Sequence, residues 1–500
     1  MNNGSMSESF GTYGQFRRWE RFPAILVWGT LIFSLATSFF YPVASIIFII
    51  LFDVYWLLRV FYFVFYFLWS WRQYHHVMKI SWMEKVKALP EQEKIYHLIF
   101  LPTVREGLDI IRTTLNTIRE CDFPNNRIMI VLAGEQRVHE EFQERAAMIQ
   151  KEFGKSFYKF IVTEHPKNLP DEIPGKGSNL HYSAHQVKRI LEEEESAIAP
   201  EHIVVSSFDV DTIAHPSYFA YLTYLYLTTP NPTHASYQPV ALFCNNIWSA
   251  KAPVRVAAFG TTFWLLTELA RPERSWTFSS HSMPWKMLLD VGFWQKDIVS
   301  EDSRIFLQAF VHYDGDYRVV PLFLPVSMDT VTGETYTESL KALYKQLRRW
   351  AWGVENLPVM IKRFQENPRI PLRKKFRHIF NYVEGMYTWA TAPLLIFFLG
   401  WLPLWFAKEE DLALVSSAPF TLEWLMRLAT IGVFVSGLVA LTMLPPRPKT
   451  IHASTWIVMI FQWALLPFTF IIFGALPAID AQTRLFLGKY LGFNVTKKKR

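Results

Sequence analysis

Residues 22–71 form an almost unbroken apolar run whose only acidic or basic side chains are Asp53 and Arg59. A stretch of this length has no place in the core of a small soluble domain. A membrane-spanning helix takes about 20 apolar residues, so the run supplies two, 22–40 and about 43–69, with Pro42 at the turn between them. It is far too long for a cleaved signal peptide. Apolar segments return at about 387–406, 422–444 and 455–478, while about 73–377 has regular charges and no run of spanning length. This division accounts for a 500-residue composition of 51% hydrophobic and 19% charged residues. Those values exclude a disordered chain, a collagen-like chain and a coiled coil. The expected organisation is a cytoplasmic N-terminus (1–21), two transmembrane helices (22–71) and a soluble domain (72–336). Amphipathic interfacial helices (337–386), about three transmembrane or re-entrant segments (387–478) and a basic C-terminal tail (479–500) follow.

Orientation follows from Lys and Arg near the span ends. Arg17, Arg18 and Arg21 precede the first span, so the N-terminus is expected inside, and two crossings then return the chain to the cytosol. Lys362, Arg363, Arg373, Lys374, Lys375 and Arg377 favour the same side for the middle. The loop with Glu409, Glu410 and Asp411 suits the outside, and that with Arg447 and Lys449 the inside. Five full crossings leave the basic tail outside, against its charge. One segment therefore does not cross: either 455–478, broken by Pro467, as a re-entrant hairpin or two short crossings, or one of the other two as an interfacial helix. The net charge of +7 gathers near the span ends, which fits anionic lipid headgroups and not nucleic acid. The expected setting is a bacterial-type cytoplasmic (inner) membrane with the soluble domain cytosolic. Cys121 and Cys244 both lie in that domain, are expected reduced, and lack metal-ligand spacing.

The middle alternates strand and helix. Strands are expected at 97–102, 127–133, 158–163 and 202–208. Helical patterns follow: Leu108, Ile111, Leu115 and Ile118 recur at helical spacing, and further helices are expected to about 153 and over 178–195. This pattern predicts an α/β, mainly parallel sheet with helices on both faces, and such sheets bind ligands beyond the carboxyl ends of their strands. Asp209-Val-Asp211 closes the fourth strand. Two carboxylates there suit a hard divalent cation shared with phosphates; a turn or helix cap explains them as well. Ser300-Glu301-Asp302 opens a helix, where carboxylates favour the helix dipole or serve as a general base. Gln346-Leu-Arg-Arg-Trp350 lies on an amphipathic helix with Leu340, Leu343, Leu347 and Trp350 on one stripe and Lys341, Lys345, Arg348 and Arg349 elsewhere, as at a membrane surface. An Arg there also suits a leaving diphosphate. Pro174-Gly-Lys-Gly-Ser-Asn-Leu180 is a glycine-flanked Lys before a helix, not a P-loop; it reads as a surface loop or a phosphate contact.

Together, Ile99-Phe-Leu-Pro-Thr-Val-Arg-Glu106, Gly175-Lys-Gly-Ser-Asn-Leu180, Phe208-Asp-Val-Asp211, Ser300-Glu-Asp302 and Gln346-Leu-Arg-Arg-Trp350 resemble the family 2 glycosyltransferases in order and spacing. The set is most similar to the membrane-embedded branch with Q-x-x-R-W, which includes cellulose, hyaluronan and chitin synthases and ceramide glucosyltransferase. The resemblance implies a GT-A domain inserted between N- and C-terminal transmembrane helices, a nucleotide-sugar donor (a UDP-sugar by expectation), Mg2+ or Mn2+, and inversion at the anomeric carbon. By position it implies that Thr103 and Glu106 face the nucleoside and Lys176 lies near the donor. Asp209 and Asp211 serve the diphosphate and metal, with Asp211 the more direct ligand. Asp302, beside Glu301, is the base, and Gln346, Arg349 and Trp350 close over diphosphate and acceptor. Phe278-Ser-Ser-His281 stands at the acceptor-side motif in a departing form, with His281 counted among the nucleotide-sugar contacts. Glu135, in Leu132-Ala-Gly-Glu-Gln136, stands where the family usually has Asp for uracil or ribose. Expected partners are the donor, a glycan or lipid acceptor, and membrane lipids; accessory export subunits are left open. Extension of a glycan is one expectation and a single transfer to a lipid the other. A transporter would carry paired polar residues deep in several spans, and few such residues are present.

Overall fold

The computed structural model describes residues 10–194, 198–407 and 412–492. Glu195, the outer-loop acids Glu409, Glu410 and Asp411, and tail residues 493–500 lie outside the described residues.

The middle of the chain folds around one eight-stranded sheet of order β3-β2-β1-β4-β7-β6-β8-β5. The strands are β1 (Tyr96–Pro102), β2 (Ile128–Glu135), β3 (Lys159–His165), β4 (Ile203–Ser207), β5 (Ile213–Ala214), β6 (Ala235–Phe243), β7 (His281–Pro284) and β8 (Arg318–Met328). β3, β2, β1 and β4 run parallel, β7 is antiparallel to both its neighbours, β6 and β8 are parallel, and β5 is antiparallel to β8. Ile99 and Leu101 face one apolar core and Leu98 and Phe100 the other, which is why β1 reads as an unbroken apolar run. The four expected strands form close to their expected limits. The helix expected over 178–195 begins two residues earlier, at Lys176. β6 and β8 contain Pro239, Pro321 and Pro325, residues that argue against an interior strand. A register irregularity between Pro239 and Val240 accommodates the pairing.

The membrane elements are less separate from the sheet than expected. The second span is a 36-residue helix, Pro42–Val77, which continues past position 71 and is tied to the sheet domain by the Ser70 hydroxyl donating to the Leu266 carbonyl (2.6 Å). Likewise Leu372–Phe397 is one helix, so the expected interfacial-to-membrane boundary at 386 falls inside it. This helix meets the short segment Leu399–Phe406 at a 46° bend.

By length and composition, Arg17–Phe40, Pro42–Val77, Val415–Thr442 and Thr455–Leu487 can each cross a membrane, and the bent pair makes a fifth. Thr455–Leu487 is tied to the rest of the chain along its length. Trp456 packs on Trp248 (ring centroids 5.1 Å), the Gln462 amide oxygen accepts from Arg255 (2.7 Å), and Trp463 stacks on Phe259 (5.8 Å). Further along, Asp480 pairs with Arg348 (2.8 Å). At its end, Arg17 donates to the carbonyls of Leu485 (2.8 Å) and Phe486 (2.5 Å). The segment packs on the sheet domain in its first part and on the first span and the helix Leu372–Phe397 in its second, where Trp28 donates to Thr483 (2.9 Å) and Gln482 to the Met386 carbonyl (3.1 Å), and it is interrupted by 3-10 and π turns at Gln462–Leu465 and Ile471–Ala475. The beginning and end of the described chain meet on the face that carries the sheet.

Candidate active site

Lys176 is the first residue of the helix Lys176–Glu193. Asn179, one turn in, donates to the Ala133 carbonyl at the end of β2 (3.0 Å), which fixes the helix start above the carboxyl ends of the strands. The Lys176 ammonium lies 3.0 Å from Asp209 Oδ1 and 3.1 Å from Asp302 Oδ1. Burial alone would lower its pKa, but the carboxylates of Asp209 and Asp302 overcome that and hold it well above the usual lysine range. Three separate motifs thus meet through one permanent cation.

Close approach explains the glycine beside it. A Cβ on Gly177 would stand 3.0 Å from the Gln295 carbonyl oxygen and 3.1 Å from Glu301 Cβ. Glu301, 4% exposed, opens the helix Glu301–His312. Burial, and then the neighbouring Asp302, push its carboxyl up to about 8, with Lys176 and Arg349 opposing.

Asp209, just beyond β4, accepts from the Ser279 hydroxyl (2.8 Å). Ser280 sits at φ +62°, a left-handed turn that leads the chain into β7. Next, His281 is fully buried, with Nδ1 2.7 Å from the Phe278 carbonyl oxygen and 3.9 Å from Asp302. Burial pushes its pKa down to about 4, so the ring is neutral and donates to Phe278. Asp211 is placed differently from Asp209. It is fully buried, its Oδ2 accepts the Asp329 N–H (2.9 Å), and its carbonyl accepts from Asn245 (3.2 Å). Asn245 also donates to Asp329 (2.9 Å). Asp209 faces the cleft, while Asp211 binds the end of β8. Among the described residues no group of three or more His, Cys, Asp or Glu is arranged to hold a metal ion.

Three expected nucleoside contacts, Thr103, Glu106 and Glu135, are engaged in local structure. Glu106 Oε2 accepts from the Thr103 hydroxyl (3.0 Å) and from the N–H groups of Val104 (2.8 Å) and Arg105 (3.1 Å), closing the loop after β1. Glu135 is 3% exposed and lies 3.4 Å from His165, which also reaches Glu172 at 3.1 Å. Burial disfavours a charged His165, yet the Glu135 and Glu172 carboxylates raise its pKa. This cluster is separate from the one around Lys176.

The helix Tyr336–Ala351 starts from a capping box of Thr335 and Glu338 and sends its motif residues three ways. Gln346 and Trp350 border a narrow gap with Phe243, Val254, Thr330 and Val331, and Trp350 packs on Phe243 (5.3 Å). Arg349 turns its charge toward Glu301. Arg348, expected off the apolar stripe of this amphipathic helix, pairs with Asp480, because the last helical segment covers that side. Sequence reasoning named Ser279 only within Phe278-Ser-Ser-His281, and it missed Asn245 and Asp329. The last two follow β6 and β8, where strand-end logic points once those proline-bearing strands are known.

A sequence model of the Glycosyl transferase family group 2 matches residues 204–476. No curated protein matches the sequence. Among solved structures, the fold is similar to a mannosyltransferase from Pyrobaculum calidifontis in complex with GDP-Man and Mn2+ (TM-score 0.41, 14% identity, covering 77% of this chain and 96% of that one). It is also similar to residues 1–349 of S. aureus TarS in complex with UDP-GlcNAc (TM-score 0.31, 11% identity, 68% and 91%). A third is glucosyl-3-phosphoglycerate synthase from Mycobacterium tuberculosis with Mg2+ and UDP (TM-score 0.31, 14% identity, 53% and 83%).

Proposed function

From the premise that this chain belongs to the Glycosyl transferase family group 2, we propose that it transfers a hexose-type sugar from a nucleotide-sugar, by preference a UDP-sugar, to a growing glycan, with inversion at the anomeric carbon. The catalytic domain works on the cytosolic side of a membrane. The observation that carries this reading is the Lys176 ammonium held between Asp209 and Asp302, which brings a donor-side and an acceptor-side carboxylate to one point.

In the proposed step the acceptor hydroxyl oxygen attacks the anomeric carbon and its proton passes to the Asp302 carboxylate. The bond from that carbon to the diphosphate breaks, and its electron pair leaves on the diphosphate oxygen. Arg349 faces the developing charge, and Lys176 places an ammonium between the donor-side and acceptor-side carboxylates. Gln346 and Trp350 border the acceptor. Thr103, Glu106, Glu135 and His281 shape the walls toward the nucleotide. Asp209 and Asp211 match in number the one or two carboxylates that Mg2+ takes alongside phosphate oxygens. They are the residues that would hold Mg2+ or Mn2+, which supplies charge neutralisation to the leaving diphosphate.

A second reading is one transfer to a lipid acceptor, in keeping with the helices flanking the sheet domain that are long and apolar enough to cross a membrane. The test is a donor screen on purified protein with released nucleotide as readout, followed by radiolabelled donor with membranes. A polymer supports the first reading and a single organic-soluble product the second. Release from no nucleotide-sugar refutes both. Asp302→Asn is expected to abolish transfer with donor binding kept, and normal turnover by that variant removes the base assignment.

A further inference from the structure

The turn that carries Glu301 and Asp302 is held from outside its own motif. Ser300 precedes the Glu301–His312 helix, yet its side chain makes no capping hydrogen bond to that helix. Its partner is Glu355. Glu355 Oε1 accepts the N–H groups of Val299 (3.3 Å) and Ser300 (2.9 Å) and the Ser300 hydroxyl (2.5 Å). Glu355 Oε2 accepts the Trp352 indole N–H (2.8 Å) and the Tyr13 phenol. With Glu355 only 3% exposed, these donors take the place of water around a carboxylate, and such charge-assisted bonds are among the stronger ones in proteins. Asn356 adds bonds to the Ser300 (3.2 Å) and Ser303 (2.9 Å) hydroxyls.

Glu355 ends the short turn Trp352–Glu355 that continues directly from the helix bearing Arg349 and Trp350. One piece of backbone therefore carries the diphosphate-facing arginine and the carboxylate that fixes the base-bearing turn. The N-terminal segment closes the assembly from the other side. Gln295 donates to the Gly11 carbonyl (2.9 Å) and Arg363 to the Phe10 carbonyl (2.7 Å), which seats Tyr13 against Glu355. Burial, and then the Glu355 carboxylate, keep the Tyr13 phenol protonated as a donor.

We propose that Glu355 is a positioning residue for transfer: through the Ser300 turn it sets the Asp302 carboxylate in register with Arg349, and Tyr13 completes its set of donors. This rests on the reading of Asp302 as base. A glutamine at 355 keeps the volume but replaces one accepting oxygen with a donor, so the turn loses part of its hold without leaving a cavity.

The test compares full-length wild type, Glu355→Gln, Tyr13→Phe and Asp302→Asn in detergent, following nucleotide release against donor concentration together with direct donor binding. Misplacing a reacting group by about 1 Å costs about a hundredfold in rate. Glu355→Gln is expected to lower kcat by about ten- to a hundredfold and Tyr13→Phe by severalfold, with donor KM and donor affinity within about twofold of wild type. Should Glu355→Gln fail to accumulate, Tyr13→Phe, which deletes one hydroxyl, carries the same readout. Unchanged kcat in both variants while Asp302→Asn is inactive overturns the positioning role and leaves the base reading standing. Donor binding lost in proportion to activity shows a merely structural residue and overturns it too. Normal turnover by Asp302→Asn removes the base reading, and the positioning role with it.

Discussion

At the scale of single residues, the site is organised by one shared cation. Lys176 is held between Asp209 and Asp302 while its own side chain is 9% exposed. Removing one member of a buried pair leaves the others uncompensated, at a cost of about 3–5 kcal/mol when burial is complete. Asp209 and Asp302 reach solvent, so Lys176→Met is expected to cost less, about 2 kcal/mol, and to weaken donor binding. Denaturation and nucleotide titration measure the two effects. A second prediction concerns His97, which is fully buried in β1 beside Thr223 (2.8 Å). Burial pushes its pKa down to about 3, so the folded protein keeps it neutral while the unfolded chain protonates it below about 6.5. Unfolding then takes up a proton, and stability falls as pH drops from about 6.5 toward 3. The loss at pH 5 relative to pH 8 is about 2 kcal/mol from this group. In His97→Gln the stability difference between pH 5 and pH 8 is expected to shrink by that amount; an unchanged difference refutes the assignment. Asp209, Asp302 and Lys176 were each legible in the sequence as members of short motifs. Their ion pairing was not, because it depends on where a helix start, a strand end and a second helix start meet. Glu355 was not legible at all, since a lone glutamate after a tryptophan-rich helix has no spacing to betray it.

Elements explain why those residues converge. The Lys176–Glu193 helix can start where it does because Gly177 lets its first turn press against Gln295 and Glu301. Gly177→Ala is expected to destabilise by about 1–3 kcal/mol, as overpacking does. It should also lower transfer more than donor binding, because it parts Lys176 from the Asp302 turn. Thermal unfolding and rate measurements on the same preparation check both halves. The parallel half of the sheet was readable because β1, β2 and β4 are continuous apolar runs between helical patterns. The other half was hidden by Pro239, Pro321 and Pro325 and by a two-residue β5. Those strands also carry the unforeseen groups at the site's edge: Asn245 follows β6, Asp329 follows β8, and Ser279 and Ser280 lead into β7. A reading that stops at four strands thus finds the donor-side motifs and misses the framework that aims them.

For the whole molecule, the decisive feature is that both described ends lie on the sheet-bearing face. The composition gave five apolar candidates and an odd count, and charge alone could not say which failed to cross. We predict that it is Thr455–Leu487, which contacts Trp248, Arg255 and Arg348. Single-cysteine variants test this, with Cys121 and Cys244 replaced by serine. Ser454→Cys and Lys489→Cys are expected to react with an impermeant thiol reagent from the same side of sealed vesicles as Lys155→Cys, and Tyr41→Cys from the other side. Labelling of Lys489→Cys with Tyr41→Cys instead would restore a full fifth crossing. The joint between the two ends also has a consequence for biosynthesis. Arg17 bonds a carbonyl 469 residues further along the chain. At synthesis rates of about 5–20 residues per second, it waits roughly 25–90 s for its partner to be made. The seat of Tyr13 beside Glu355 is braced by that late contact. A nascent chain that has not yet reached the helix Leu476–Leu487 therefore carries its motifs without that brace, so this contact is made only after every motif of the site has been synthesised.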